Sequence, residues 1–485
     1  MGRPDLLITG AHVVTVDAER RVLNPGYVAV SGHDIESVGL QSDCPYQDAE
    51  HVTNAAGKVL LPGFINAHTH ALHSLMRGGL SDDRVLYDWL LNVVRPGLSV
   101  YTEEDVRIAA TLFCIESIRS GITTFVDNAE FIASRFDMAA DVTIDTYKQF
   151  GVRAIYARMF YDTLPAGLEN YAIAVESKEP EIVRQDELLE ETSAALESIG
   201  ALIKRHHGSG DGRIQVWPSP GVAVLCTREG LLGAKQLAQS YGAMVTIHVA
   251  ESAFDRFQAG VSSVEYLASI GFLGPDVLAG HCVQIDENDI RILRNLGVKV
   301  ANNAVSNLFL GSGVAPVAEM QAAGIVVGLG TDDGNCNCST NIISDMKIAA
   351  LAQKGKYRHP TAVTAEKALE MSTIDGARAV GMEDMIGSIE AGKKADLVLI
   401  DLSSRAHLVP MFNVPSVLVY QAMGDEIDTV IVDGQILMEG GILRGLSLEQ
   451  EREILHDAQR ASEGIVERAG FRRLRDRGWP SFRAV

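Results

Sequence analysis

Val59-Leu60-Leu61-Pro62-Gly63-Phe64-Ile65-Asn66-Ala67-His68-Thr69-His70 joins a short apolar run to two histidines one residue apart. Side chains of an extended chain alternate with period two, so His68 and His70 leave the backbone on one side and can meet one cation. Alone, a His-x-His pair is a weak signal. Its weight comes from what lies downstream.

Counted from Val59–Leu61 as the first barrel strand, compact apolar or β-branched runs recur at Thr123–Val126, Arg153–Tyr156, Ile214–Trp217, Met244–His248, Val277–His281, Val298–Ala301 and Ile325–Gly330. Helical patterns lie between many of them, as at Glu103–Ser120, Glu187–Arg205 and Arg228–Ser240. Eight strands alternating with helices predict an α/β protein with a TIM-like (β/α)8 barrel over residues 60–380. Short β-type runs also stand at both ends of the chain: Leu6–Thr9, Ala11–Val16 and Tyr27–Val30 early, Ala395–Asp401 and Asp428–Gly434 late. They predict a small β-sandwich built from 1–59 and 381–440. A C-terminal helical extension, 441–485, follows; its charged part, Leu448–Arg477, is expected to pack on the outside of the barrel or on a partner subunit.

The charge balance of 42 basic against 63 acidic residues, net −21, argues against a nucleic-acid groove or an anionic membrane surface as partner. A neutral or cationic small molecule suits it better. With 47% apolar and 22% charged residues the chain is not disordered, and no apolar run of about 18 residues is present to span a bilayer. Six cysteines in 485 residues, with no secretory pattern ahead of them, point to a reducing cytoplasm.

The predicted strand ends carry the chemistry. His248 closes the fifth run, His281 the sixth, and Asp332 follows the eighth in Gly328-Leu329-Gly330-Thr331-Asp332. With His68 and His70 they fall on the face where barrel enzymes build their sites. Neutral imidazoles and a carboxylate suit Zn or Fe(II), with a position left open for water. Glu251, three residues after His248, is placed to exchange a proton with that water. Cys336-Asn337-Cys338 lacks the second cysteine pair that a thiolate site needs, so a pocket role for Cys336 is the better reading.

Together, the 62–70 stretch, His248-Val249-Ala250-Glu251, Gly280-His281, Gly330-Thr331-Asp332 and Gly392-Lys393-Lys394-Ala395-Asp396-Leu397-Val398-Leu399-Ile400-Asp401 resemble the amidohydrolase superfamily, in its mononuclear aminohydrolase branch. Leu86-Tyr87-Asp88-Trp89-Leu90, Ser306–Gly313 and Thr373–Arg378 are similar to the s-triazine hydrolases, a group with melamine-deaminating and atrazine-dechlorinating members. The resemblance implies one divalent metal, Zn or Fe(II), on His68, His70, His248 and Asp332. His281 would orient the attacking water or act as a fifth ligand, and Glu251 would shuttle the proton. By analogy the substrate would contact Trp89, Asp127, Asn128, Met159, Phe160 and Asn307.

Within the group, Asp333 and Cys336 resemble the deaminating members, whereas the dechlorinating ones carry Asn and Ser there; Leu86 and Asp127 point the same way. A departing amine needs a proton and chloride does not. Cys336 is therefore expected to donate to the leaving nitrogen, with Asp333 holding or replenishing the proton. His73, where the group has Gln, and Gly221–Cys226, in place of a Thr-rich segment, depart from the pattern at the pocket's mouth or wall. The expectation is a hydrolytic deaminase of a melamine-like s-triazine, in a cytoplasmic homo-oligomer. The alternatives are dechlorination of a chloro-s-triazine, or deamination of a pyrimidine, pterin or purine. A non-catalytic binding protein is disfavoured because no ligand position is lost.

Overall fold

The structure, a computed structural model, describes residues 2–80, 84–164, 189–258 and 261–476. Five strands come first: β1 (Leu6–Val14), β2 (Val22–Ser31), β3 (Asp34–Leu40), β4 (His51–Asn54) and β5 (Val59–Pro62). Nine follow in the middle of the chain: β6 (Phe64–His70), β7 (Ile122–Ala129), β8 (Arg153–Phe160), β9 (Ile214–Pro220), β10 (Val245–Val249), β11 (Val277–His281), β12 (Lys299–Asn302), β13 (Val327–Leu329) and β14 (Asp332–Asp333). Four close the series: β15 (Leu397–Ile400), β16 (Ile427–Val432), β17 (Gln435–Glu439) and β18 (Ile442–Leu443).

The middle strands form two parallel sheets, β14-β6-β7-β8-β9 and β10-β11-β12-β13. β6, β7 and β8 are buried at every residue instead of alternating, the pattern of strands covered on both faces. The sheets approach each other at both margins. Beyond β9, Gly221 O accepts the His248 N–H at 3.1 Å; beyond β13, Gly330 N–H donates to Asn302 O at 3.1 Å, and Asp332 pairs with Thr69 of β6.

The outer strands form one nine-stranded sheet, β18-β17-β16-β15-β5-β1-β2-β3, with β4 also on β1, so both chain ends contribute to it. Here one expectation fails. Val59–Leu61 is not the first strand of the parallel set: β5 pairs with β1 and, antiparallel, with β15. That first strand is β6, and it carries both histidines within it. The reason is visible at Gly63, where extended chain passes from one sheet to the other without a loop and where a Cβ would collide with Thr123. Every residue from 59 to 70 is buried, so hydrophobicity gives no sign of the change of sheet.

Helix Glu103–Arg119 opens on a capping box between Thr102 and Asp105, and helix Leu448–Arg468 on one between Ser447 and Gln450, each satisfying N–H groups that the first turn leaves open. The expected pattern at Glu187–Arg205 is realised as helix Thr192–His206; residues 187 and 188 lie outside the described residues. The late helix packs on the chain itself. Arg119 makes a two-pronged pair with Glu451 at 2.7 and 2.6 Å, and Arg468 reaches Asp105 at 2.6 Å. Residues 477–485 of the predicted extension lie outside the described residues. No helix among the described residues is long and apolar enough to cross a membrane.

A buried ion pair ties the two sheet systems together. Arg153, at the start of β8, holds Asp396 at 2.9 and 3.0 Å and Asp433 at 3.4 Å, all nearly without solvent. Removing one partner strands the other charge in an apolar interior, at a cost of about 3–5 kcal/mol. Arg153→Met is expected to lower unfolding stability by that amount, read from the denaturant midpoint. A loss of only about 0.5 kcal/mol, the scale of a surface change, would show that the pair ties nothing.

Candidate active site

His68 and His70 stand two residues apart on β6, His248 near the end of β10, His281 at the end of β11, and Asp332 opens β14. Register brings them together: His248 faces Gly280, Val249 faces His281, and Asp332 faces Thr69. His68 Nε2 and His70 Nε2 each lie 3.4 Å from Asp332 Oδ1, and His248 Nε2 lies 3.3 Å from His70 Nε2. His281 Nε2 is 3.8 Å from Asp332 Oδ2 and 3.5 Å from Glu251 Oε2.

The backbone here is held in unusual conformations. Ala250, His281, Cys282 and Asp332 all have positive φ (49°, 69°, 50° and 60°), which non-glycine residues rarely adopt and which persists only where the surroundings impose it. Two glycines make room for His68. A Cβ on Gly280 would lie 3.2 Å from His68 Cε1, and one on Gly330 would lie 2.7 Å from His68 Cβ.

Three of the four imidazoles are oriented through their other nitrogen, while His70 Nδ1 is buried without a partner. His248 Nδ1–H donates to Gly221 O at 2.8 Å, and His281 Nδ1–H to Asn307 Oδ1 at 2.9 Å. The Asn128 amide stands 2.9 Å from His68 Nδ1, while Asn128 Oδ1 and His68 Nε2 are both buried without a partner. Turning Oδ1 toward Nδ1–H satisfies the amide and leaves the Nε2 lone pair facing Asp332. Carbonyl and amide oxygens on the far nitrogens are the outer contacts that metal-binding histidines use. Ser306 Oγ–H donates to Asp332 Oδ2 at 2.5 Å. These residues suit a metal ion: N and O donors converge, His68 Nε2 is buried beside Asp332 without a partner, and two Nε2 atoms face each other at 3.3 Å.

Burial holds His68 down to about 4, and burial together with neighbouring imidazoles pushes His248 well below the ordinary histidine value. Burial, Asp332 and Asp255 raise Glu251 well above the usual carboxyl range, so it carries a proton readily. Asp255 accepts the backbone N–H of Glu251 at 2.9 Å and the Tyr87 hydroxyl at 2.8 Å.

A cavity of about 540 Å³, counted to its open mouth, lies against this group. His70, His248, Glu251, His281 and Asp332 line it on one side. Trp89, Met159, Asp333 and Cys336, all expected in the pocket, line it as well. His73, Asp127, Asn128, Phe160 and Asn307 are not among the lining residues. Asn128 and Asn307 stand behind His68 and His281 instead. Asp127 accepts the Ala71 N–H at 3.0 Å and the Tyr147 hydroxyl at 2.7 Å, and Phe160 is buried in the main core. The expected couple of the Asp333 carboxylate with the Cys336 thiol is not formed; Cys336 Sγ–H donates instead to the Asp333 backbone O at 3.6 Å. Asp333 Oδ2 meets His73 Nδ1 and its Oδ1 accepts the Asn335 N–H at 2.7 Å, while Cys336 Sγ lies 3.2 Å from Ser306 Oγ. Cys338 is exposed, with Sγ 3.9 Å from Asn335 O, and forms no disulfide with Cys336.

Sequence reasoning passed over Glu130, Asp255 and Tyr161, which also line the cavity. Glu130 follows β7 directly, and a charged residue at a strand end was the available signal.

A family model for the amidohydrolase family matches residues 59–437. The chain belongs to the amidohydrolase family. It is therefore an enzyme, a hydrolase of that family. It is 36% identical over 479 residues to an S-triazine hydrolase of Gordonia rubripertincta, covering 96% of this chain and 97% of that one. It is likewise 36% identical over 470 residues to a 5'-deoxyadenosine deaminase of Methanosarcina barkeri, covering 96% and 99%. Among solved structures, a zinc-bound adenosine deaminase from Xanthomonas campestris superposes with a TM-score of 0.84 at 27% identity, covering 96% of this chain and 99% of that one.

The seat of His68 is testable in this amidohydrolase. Gly330→Ala is expected to displace His68 and lower bound metal per chain, read by elemental analysis. Gly355→Ala, in a helix with open space around it, is expected to leave metal content at the parent level. Equal metal in both variants would show that Gly330 gives His68 no room it needs.

Proposed function

We propose that this amidohydrolase is a metal-dependent deaminase that replaces an exocyclic amino group of a nitrogen heteroaromatic ring by hydroxyl and releases ammonia. The observation that carries the proposal is the Glu251 carboxyl, raised in pKa and 3.5 Å from His281, facing one cavity together with the histidine–aspartate group. The deaminases among its relatives support the reading, as does the match of Asp333 and Cys336 to the deaminating side of the triazine group.

In this proposal the two parallel sheets close into one (β/α)8 barrel through the contacts at their margins, and the nine-stranded sheet forms the β-sandwich. His68, His70, His248 and Asp332 hold one divalent ion, zinc in preference to iron because the adenosine deaminase relative contains zinc. When bound, such an ion lowers the pKa of water toward about 7, so that hydroxide is available at neutral pH. His281, fixed by Asn307, orients that water. Glu251 takes its proton and delivers it to the departing nitrogen, which leaves as ammonia. Trp89 and Met159 stack and enclose the ring, with Asp333 on its polar edge. The enzyme is a cytoplasmic homo-oligomer acting on a small molecule, with neither nucleic acid nor membrane as partner.

A melamine-like s-triazine is the favoured substrate. An adenine nucleoside is the second reading, carried by the 5'-deoxyadenosine deaminase at equal identity. Ammonia release from melamine, ammeline, cytosine, guanine, isoxanthopterin and 5'-deoxyadenosine, alongside chloride release from atrazine, separates them; chloride without ammonia would overturn deamination. Among variants, His248→Ala and Asp332→Asn are expected to lose both metal and turnover. Glu251→Gln is expected to keep its metal and lose about 10²–10⁴-fold in kcat, the usual worth of a general acid–base group. A kcat within about threefold of the parent would remove Glu251 from the mechanism.

A further inference from the structure

Glu130 follows the last residue of β7 and lines the same cavity as Glu251 and Asp332, yet it belongs to neither the metal group nor the proton-transfer pair. Its side chain is 4% exposed. Oε1 is fixed: the Arg95 guanidinium is in close contact with it, the Tyr161 hydroxyl donates to it at 3.3 Å, and Arg95 lies 4.5 Å over the Tyr161 ring. Burial alone would raise this carboxyl, but Arg95 beside it brings it below its ordinary value, so it stays ionised. Oε2 is different. His73 Nε2 stands 3.8 Å away, beyond hydrogen-bond reach, and is itself buried without a partner because the ring is turned through Nδ1 to Asp333.

Among the described residues, one oxygen of this ionised, desolvated carboxylate therefore keeps acceptor capacity that its neighbours do not use. Leaving such a group unsatisfied is costly, and a ligand N–H that meets it is favoured strongly over one that cannot. Leu86, Leu90, Met159, Val222 and Leu310 make much of the remaining wall apolar, and the described lining residues include no Lys or Arg. A Glu130 carboxylate oxygen and ring nitrogens of His70 and His73 all lie within 4.8 Å of one another, so Glu130 stands in the same cavity wall as the metal group, beside one of its histidines. Glu130, His70 and His73 do not suit a second cation. Arg95 already neutralises the carboxylate, and the His73 ring is turned through Nδ1 to Asp333.

We infer that Glu130 is a specificity-determining residue: it accepts N–H hydrogen bonds from the edge of the ring remote from the carbon attacked, selecting rings that carry a second amino group there. The inference rests on the deaminase reading and names the substrate class of that site as polyamino heteroaromatics. The experiment compares melamine with 2-amino-1,3,5-triazine, which offers no second amino group, on the metal-loaded enzyme. Both dissociation constants, by calorimetry, and kcat and KM are measured.

The parent is expected to prefer melamine. In Glu130→Gln the melamine-to-aminotriazine ratio of kcat/KM is expected to fall by at least about tenfold, through KM and Kd more than kcat. Glu130→Gln leaves Arg95 as a stranded cation and can lose its fold, so the paired change of Glu130→Met with Arg95→Met, which buries no lone charge, is measured beside it and is expected to lose the same selectivity. A parallel fall for both ligands, or an unchanged Kd ratio, would reduce Glu130 to a partner for Arg95 and overturn the inference. A loss of bound metal in the paired variant would do the same by making Glu130 part of a cation site. If the parent releases no ammonia from any amino-heteroaromatic, the deaminase reading fails by itself, and the Kd ratio still judges Glu130.

Discussion

Asp332 is the point on which the site depends. Its backbone, at φ 60°, is held by pairing with Thr69, whose hydroxyl donates to Asp332 O at 2.9 Å. Its carboxylate then faces imidazoles from two different strands, His68 and His70 through Oδ1 and His281 through Oδ2, with Ser306 closing the remaining side. A buried carboxylate so placed is stable only while positive or hydrogen-bonding groups stay around it. The strand ends are thus held in mutual register by charge as well as by the peptide ladder, and the positive φ values at His281 and Asp332 are what that register demands.

Around this point the cavity has two polar ends of different character. At one, Glu251, its carboxyl raised by burial and by Asp332 and Asp255, sits with His248 and His68, whose protonation burial disfavours, and with His70, which Asp332 raises to about 9. At the other, Glu130 is kept ionised by Arg95. Two carboxyl groups of the same chemistry are shifted in opposite directions by what lies within a few ångströms. That is how one cavity can both move a proton and offer an acceptor that does not move one.

Much of this was legible in the chain. His68, His70, His248, His281 and Asp332 each stood at or beside a run with a clear β signature, and strand ends share one face of such a fold. Glu251 was legible from its spacing to His248. The change of sheet at Gly63 was not, because continuous burial across Val59–His70 erases the periodicity that would mark it. Nor was the partner of Asp333: sequence proximity suggested Cys336, whereas the carboxylate turns to His73, 260 positions away, a choice made by packing alone. Asp127 and Phe160 were expected as contacts by analogy with the family's pocket positions; residues of one strand point alternately inward and outward, and one sequence does not show which parity faces the cavity. Glu130 went unseen for the same reason.

Where the two sheet systems join, β5 and β15 lie side by side, with Pro62 opposite Leu397 and the Gly63 N–H on Asp396 O at 2.8 Å. The long catalytic excursion therefore leaves and re-enters the outer sheet at a single doorway. Chain closed at a fixed doorway pays an entropy that grows only with the logarithm of its length. Lengthening a loop at the cavity's rim thus changes the cost of that closure very little, and the outer sheet is indifferent to what the rim becomes. A fold organised in this way can exchange one ring-binding rim for another while its hinge of entry and exit stays as it is.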